Sequence, residues 1–211
     1  MKLHIYDHCP FCVRPRMAFG LKNIPFELSI IMEGDVETPT RMVGKKMVPI
    51  LEKDDGTYMG ESLDIVHYID QQSGELQFAG DVDPRVDAWI KEAWSTSLDL
   101  FIPRFTQGEF AELATPEARE AYLLREQKAF GDLDALRANT PALIAELAPK
   151  LDALVPLIKD RQERDITDIV LWPILRCLSI VKALSFPPEV LAYTQQLEAE
   201  TGIPLLFDQA Q

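Results

Sequence analysis

Apolar and polar positions follow two rhythms along the 211-residue chain. In the first third the period switches back and forth between 2 and 3.6 residues. Lys2–Tyr6 reads as a short strand, with Leu3 and Ile5 on one face. Phe11–Lys22 carries Val13, Met17, Ala18 and Leu21 at helical spacing, and the pattern fades at Asn23 ahead of Pro25. Phe26–Ile31 is rich in strand formers. Thr38 followed by Pro39 predicts an N-cap with proline at the first helical position, and Gly44 ends that short helix. Val48–Leu51 and Thr57–Met59 flank Asp54-Asp55-Gly56, a hairpin turn with glycine where φ must be positive. Ser62 then caps a helix carrying Leu63, Val66 and Ile69. The predicted order is β-α-β-α-β-β-α, parallel at first, with the last two strands antiparallel.

Beyond this the spacing is helical and almost nothing reads as strand. Asp83-Pro84, Thr115-Pro116, Thr140-Pro141 and Phe186-Pro187 each predict a helix start with proline in the first turn, and Gly202 closes the last helix. Pro149 and Pro156 interrupt one helical pattern and are expected to kink or split it. Asp165, ahead of Ile166-Thr167-Asp168, is placed as a helix cap that supports folding rather than chemistry. The expected organisation is an α/β domain at residues 1–73, a linker at 74–83 holding Gly74 and Gly80, and an all-helical domain at 84–211.

Composition narrows the classes. With 34 acidic against 21 basic side chains the chain carries a net charge of −13. That opposes binding to nucleic acid or to anionic membranes, both of which select clustered Lys and Arg. The start, MKLHIYDHCP, has no apolar core or cleavage site of a secretory signal. No apolar run approaches the roughly 20 residues of a membrane span. Three cysteines make a poor disulfide framework, so a reducing, cytoplasmic setting is expected.

In that setting Cys9-Pro10-Phe11-Cys12, between a strand and a helix, carries chemistry. A free thiol, with a pKa of about 8.5, is mostly protonated at neutral pH. A helix N-terminus offers unpaired N–H donors and partial positive charge, and both favour the thiolate. Arg14 and Arg16 add charge nearby. Cys9 is therefore expected to attack, and Cys12, set back in the helix, to resolve. A zinc site lacks ligands, since only Cys177 and three histidines remain. His8 reads as a loop residue, and Cys177 as a small apolar core residue. A pair of unreactive core cysteines is the bland alternative, opposed by the helix-start position.

YDHCPFCVRPRMAFGLKNIPFEL resembles the active-site region of glutaredoxins, whose motif is Cys-Pro-Tyr/Phe-Cys. ETPTRMVGKKMVPIL, YMGESLDIVHYID and the helical second half resemble more specifically the bacterial glutaredoxin 2 type. The resemblance implies a thioredoxin-like N-terminal domain joined to an all-α, glutathione-transferase-like one, with glutathione and glutathionylated or disulfide-containing proteins as partners. It also implies a monomer with no metal. Phe11 departs from the commoner tyrosine, and Pro15 is expected to loosen the second turn of the active-site helix.

The same resemblance implies a cis bond before Pro49, facing Cys9 and leaving the Val48 main chain free to pair with the cysteinyl part of glutathione. Read by itself, Pro49 is equally an ordinary trans proline at a strand edge. Glu61-Ser62 is by itself merely a cap. By resemblance to glutathione transferases it receives the γ-glutamyl end, Ser62 and the helix N-terminus taking the carboxylate and Glu61 the ammonium. Phe11 keeps its ring at the site. The glycyl carboxylate needs a cation, and Arg16, Lys22 and Arg41 are the candidates, with Arg16 in the site as first choice. A cysteine-type glutathione transferase or dehydroascorbate reductase is the first alternative function, and the retained Cys12 argues against it. A non-catalytic partner-binding protein on the same scaffold is the second.

Overall fold

The computed structural model describes residues 1–159, 161 and 163–211. The first half holds β1 (Lys2–Ile5), α1 (Pro10–Leu21), β2 (Glu27–Ile30), α2 (Glu37–Val43), β3 (Ile50–Glu52), β4 (Tyr58–Met59) and α3 (Ser62–Asp70). The four strands form one sheet in the order β2-β1-β3-β4. β1 runs parallel to β2, with Leu3 opposite Leu28, and antiparallel to β3, with Leu3 opposite Leu51. β3 and β4 close the hairpin over Gly56, whose φ is 80°. This is the expected thioredoxin-like order. Successive strand residues face opposite sides. Leu3, Ile5 and Leu51 join the main core, whereas Ile50 joins Tyr6 and Ile31 beneath Met42 and Val43 of α2.

The second half is helical: α4 (Pro84–Phe105), α5 (Pro116–Phe130), α6 (Leu133–Ala138), α7 (Thr140–Ile158), α8 (Ile166–Leu178) and α9 (Pro188–Thr201). Every residue of α8 is buried. A helix apolar on nearly all sides belongs at the centre of a bundle. α8 contacts α4 and α9 and also receives α1, so one core runs through both halves.

Several boundaries differ from expectation, each for a local reason. α2 starts before Thr38, because Asp35 takes the Thr38 N–H at 2.9 Å and caps from outside the Thr-Pro pair. Glu61, not Ser62, is the N-cap of α3. α7 begins at Thr140 with Asn139 as its cap, and α9 begins at Pro188 rather than Pro187. α7 is not split by its prolines. Pro149 and Pro156 lie on its exposed side, as do Ala145 and Asp152, whose carbonyls they leave free for water. The buried stripe Leu143, Leu147, Leu151, Leu154 and Ile158 continues unbroken. α1 is likewise continuous through Pro15.

Gly20 sets how closely α1 meets α9. A Cβ there would lie 2.5 Å from the Thr201 carbonyl oxygen. Alanine normally favours a helix interior by up to about 1 kcal/mol over glycine. Here the backbone clash outweighs that gain, and Gly20→Ala is expected to destabilise the fold by about 1–3 kcal/mol, read by urea denaturation. A more stable variant would mean that α9 can retreat freely.

Candidate active site

Cys9 is the N-cap residue of α1, and Pro10 occupies the first turn. Cys9 is half-buried, Cys12 is fully buried, and both thiols are free. The cysteines are not equivalent. The S–H of Cys12 donates to the Cys9 sulfur, the positive field of His8 adds to it, and the N–H groups of Cys12 and Phe11 point the same way. Together these outweigh the cost of burying the anion and hold the Cys9 thiol at about 7. Burial pushes Cys12 the other way, reinforced by the sulfur beside it. The site thus holds one thiol poised as an anion and one retained as a proton donor, which separates nucleophile from reserve.

Cys9 opens onto a cleft of about 370 Å³ between the two halves. Phe11 lines it and is 40% exposed. One wall is Lys46, Met47 and Val48. The Val48–Pro49 bond is cis. Among the described residues neither the N–H nor the C=O of Val48 has a hydrogen-bond partner. The opposite wall comes from Trp94, Leu98 and Phe101 of α4, with the Trp94 and Phe11 ring centroids 6.0 Å apart.

At α3, Glu61 sits at φ 63°, a left-handed conformation that side-chain-bearing residues seldom take. Its carboxylate pairs with Lys45 at 3.0 Å. Ser62 is the first helical residue, and its hydroxyl accepts from Arg14 at 3.2 Å. The first-turn N–H groups of α3 have no helical partner by construction. They leave a partial positive charge at this end of α3, one side chain away from α1.

Arg16 is not at this cleft. Its guanidinium is tied to Asp7, on the side of α1 that meets Arg176 of α8. Lys22 lies at the far end of α1, bound to Asp70 at 3.0 Å and to the Glu75 carbonyl at 2.7 Å. Arg41 is exposed beside Glu37 at 3.9 Å and lines no part of the cleft. Two other cations lie at or beside the cleft. Arg14 stacks 4.7 Å above the Phe11 ring and lies within the field of Cys9. Burial pushes its pKa down to about 10, where it is still cationic at neutral pH. Lys46 lines the cleft itself. Arg14 is within reach of sequence reasoning, because Phe11 and Arg14 are three apart and share a helix face. Trp94 of the far wall carries no local signal. Among the described residues no cluster of His, Cys, Asp or Glu could hold a metal, and no helix is long and apolar enough to cross a membrane.

Comparison with known proteins fits this arrangement. The family model described as "Glutathione S-transferase, N-terminal domain" matches residues 3–77, and that described as "Glutaredoxin 2, C terminal domain" matches residues 85–210. Glutaredoxin 2 of Escherichia coli K12 is 42% identical over 214 residues, covering 100% of both chains. The crystal structure of glutaredoxin 2 from Salmonella typhimurium in complex with glutathione superposes with a TM-score of 0.95 at 41% identity, covering 100% of this chain and 98% of that one. Gtt2 of Saccharomyces cerevisiae matches at a TM-score of 0.59 and 19% identity, over 94% of this chain and 96% of its own, and shows the fold alone. The molecule is thus a thioredoxin-fold oxidoreductase built on the two-part frame of the glutathione transferases. Within that class the chain belongs to the glutaredoxin 2 family.

Proposed function

We propose that the protein is a glutathione-dependent disulfide oxidoreductase in which Cys9 is the nucleophile. One observation carries the reading: the poised thiol of Cys9 and the unpaired main chain of Val48, ahead of Pro49, face the same cleft. The Val48 N–H and C=O suit the cysteinyl unit of glutathione, which would bind like one rung of a sheet. Ser62, the α3 N-terminus and Glu61 suit the γ-glutamyl end. Phe11 supports the peptide from below. Arg14 and Lys46 replace Arg16 as the cations for the carboxylates.

In the first step the Cys9 thiolate attacks the glutathione sulfur of a protein–glutathione disulfide. A Cys9–glutathione disulfide forms, and the protein thiol leaves with the electron pair and takes a proton. A second glutathione thiolate then attacks that same glutathionyl sulfur, giving oxidised glutathione and restoring the Cys9 thiolate. A low-pKa thiol is also a good leaving group, so the second step gains as well. For a protein disulfide, Cys9 attacks one sulfur and the other leaves as a thiolate. The Cys12 thiolate then attacks the Cys9 sulfur and displaces the second protein thiolate. Two glutathione molecules reduce the Cys9–Cys12 disulfide so formed, leaving as oxidised glutathione. We also infer that residues 1–73 and 84–211 are the two domains, joined by 74–83, and that the protein works in the reducing cytoplasm.

The pH dependence follows in sign from the lowered thiol. The rate of Cys9 alkylation should rise as pH increases, reach half its plateau at about 7 and flatten above about 8. At pH 7 about half of Cys9 is then thiolate, against about 3% of an ordinary thiol. A midpoint near 8.5 would remove the basis of the mechanism. The apolar wall of Trp94, Leu98 and Phe101 favours a second reading, conjugation of an apolar electrophile to glutathione. Comparing turnover of a glutathione mixed disulfide with that of an aryl halide decides between them, and faster conjugation would make the transferase reading the better one.

A further inference from the structure

The residues just ahead of Cys9 are held mainly by the helical half of the chain. The Asp7 carbonyl accepts Nη1 of Arg176 at 2.8 Å, and the Asp7 carboxylate accepts Nη2 at 3.1 Å. The guanidinium is itself fixed by the Pro204 carbonyl, which accepts its Nε–H at 2.8 Å. The His8 N–H donates to Oε1 of Glu112 at 2.9 Å, and Nδ1 of His8 meets the same oxygen at 2.7 Å. The His8 carbonyl accepts the Cys177 thiol at 3.6 Å. The contacts of Asp7 and His8 with the helical half span 104 to 169 positions of sequence. From its own half, the Cys9 carbonyl accepts the Cys12 and Val13 N–H groups at 3.0 and 3.3 Å as α1 begins, while ahead of the helix the Cys9 N–H makes only a long bond to the Tyr6 carbonyl, 3.4 Å.

Arg176 and Glu112 are both fully buried, and Oε2 of Glu112 has no partner among the described residues. Burying a charge that leaves a lone pair unmet is costly. A hydrophobic side chain would seal the interface between the halves better. What the charges do achieve is to pair main-chain groups of a loop that would otherwise be unpaired inside the protein. Thiol exchange needs the attacking sulfur aligned with a disulfide, and errors of about 1 Å cost up to about 100-fold in rate.

We propose that Glu112 and Arg176 are positioning residues, by which the helical half clamps Asp7 and His8 and so aims Cys9 at the substrate bound along Val48. The inference rests on Cys9 being the attacking thiol, which Cys9→Ser tests separately. It gives the helical half a part in the reaction beyond walling the cleft. It also explains why Arg16 is unavailable to glutathione, since its partner Asp7 belongs to the clamp.

The test uses Arg176→Met and Arg176→Lys in the full chain. Two rates are compared: turnover of a glutathione mixed disulfide, and alkylation of Cys9 by iodoacetamide at pH 9, where the thiolate is fully formed and no bound partner is needed. In Arg176→Met the kcat/KM for the mixed disulfide should fall about 10-fold or more, while alkylation stays within about twofold. Arg176→Lys, which can still donate to the Asp7 carbonyl, should recover part of the loss. A lower melting temperature with wild-type kcat/KM would overturn the proposal, since that is the signature of a merely structural contact. Should Arg176→Met fail to fold, hydrogen exchange on the wild-type protein decides. The His8 amide, though in a loop, should exchange about 100-fold or more slowly than an open loop amide. Exchange at the open rate would show that Glu112 does not hold it.

Discussion

Cys9→Ser should lose about 1,000-fold or more of the glutathione-dependent reduction of a small mixed disulfide, while Cys12→Ser keeps activity within about 10-fold of wild type. The first half of the prediction follows from the bond that must form. The intermediate is a disulfide, and a hydroxyl supplies neither the sulfur nor a usable anion near neutral pH. The second half follows from the geometry. Cys12 is buried and its thiol is pushed upward by burial, so it is a proton donor to Cys9 before it is a nucleophile. A serine hydroxyl can make that donation too. Cys12→Ala cannot, and its Cys9 alkylation midpoint should move up from about 7. Coupled assays with glutathione and glutathione reductase on the three variants, beside an alkylation titration, separate these roles. Full turnover in Cys9→Ser would falsify the mechanism. Total loss in Cys12→Ser would mean that only the dithiol route operates.

The first half of the fold is legible because its signals are local. Leu3 and Ile5 on one strand face, Gly56 at a turn needing positive φ and Cys9-Pro10 at a helix start each act within a few residues. The cap of α8 is readable for the same reason, since Asp165 and Asp168 exchange their bonds across one turn. The shifted boundaries are also local contests between close rivals. Ser62 is the better cap by type, yet Glu61 takes the position through a left-handed φ that sequence does not announce. The cations differ in kind. Arg16 stands one turn beyond Cys12 and could serve either side of α1. Which side it serves is decided by Asp7 and by Arg176, 160 positions away in sequence, and no spacing rule encodes that choice. Glu112 is invisible on the same ground. As a single acidic residue in an acidic chain, it gains meaning only when the fold brings it to His8.

Asp168→Ala is expected to cost about 3–5 kcal/mol of folding stability, far more than the ~1 kcal/mol of losing an ordinary cap. Asp168 is fully buried and serves four donors at once. It accepts the Asp165 N–H at 3.0 Å, Nε and Nη2 of Arg161 at 3.2 and 2.9 Å, and the Tyr193 hydroxyl at 2.6 Å. Burial pushes the Tyr193 hydroxyl well above its ordinary range, so it stays a donor and is left without an acceptor when the carboxylate goes. Asp165→Ala removes the other arm of the box, the bond from the Thr167 N–H, and an ion pair with Arg161 at 2.6 Å, both on a half-exposed side chain that water can replace. Asp168→Asn should fall between them, because it keeps the shape but turns an amide N–H₂ toward a guanidinium or an N–H. Urea denaturation of the three variants orders them. Equal losses for Asp168→Ala and Asp165→Ala would mean that the buried hub adds nothing to the cap. The consequence reaches the thiols, because the helix anchored by Asp168 ends in Arg176 and Cys177, which hold Asp7 and His8. Loosening α8 at its first turn should therefore release Cys9 along with the bundle. The urea midpoint for loss of the low Cys9 pKa should coincide with the midpoint for loss of helix.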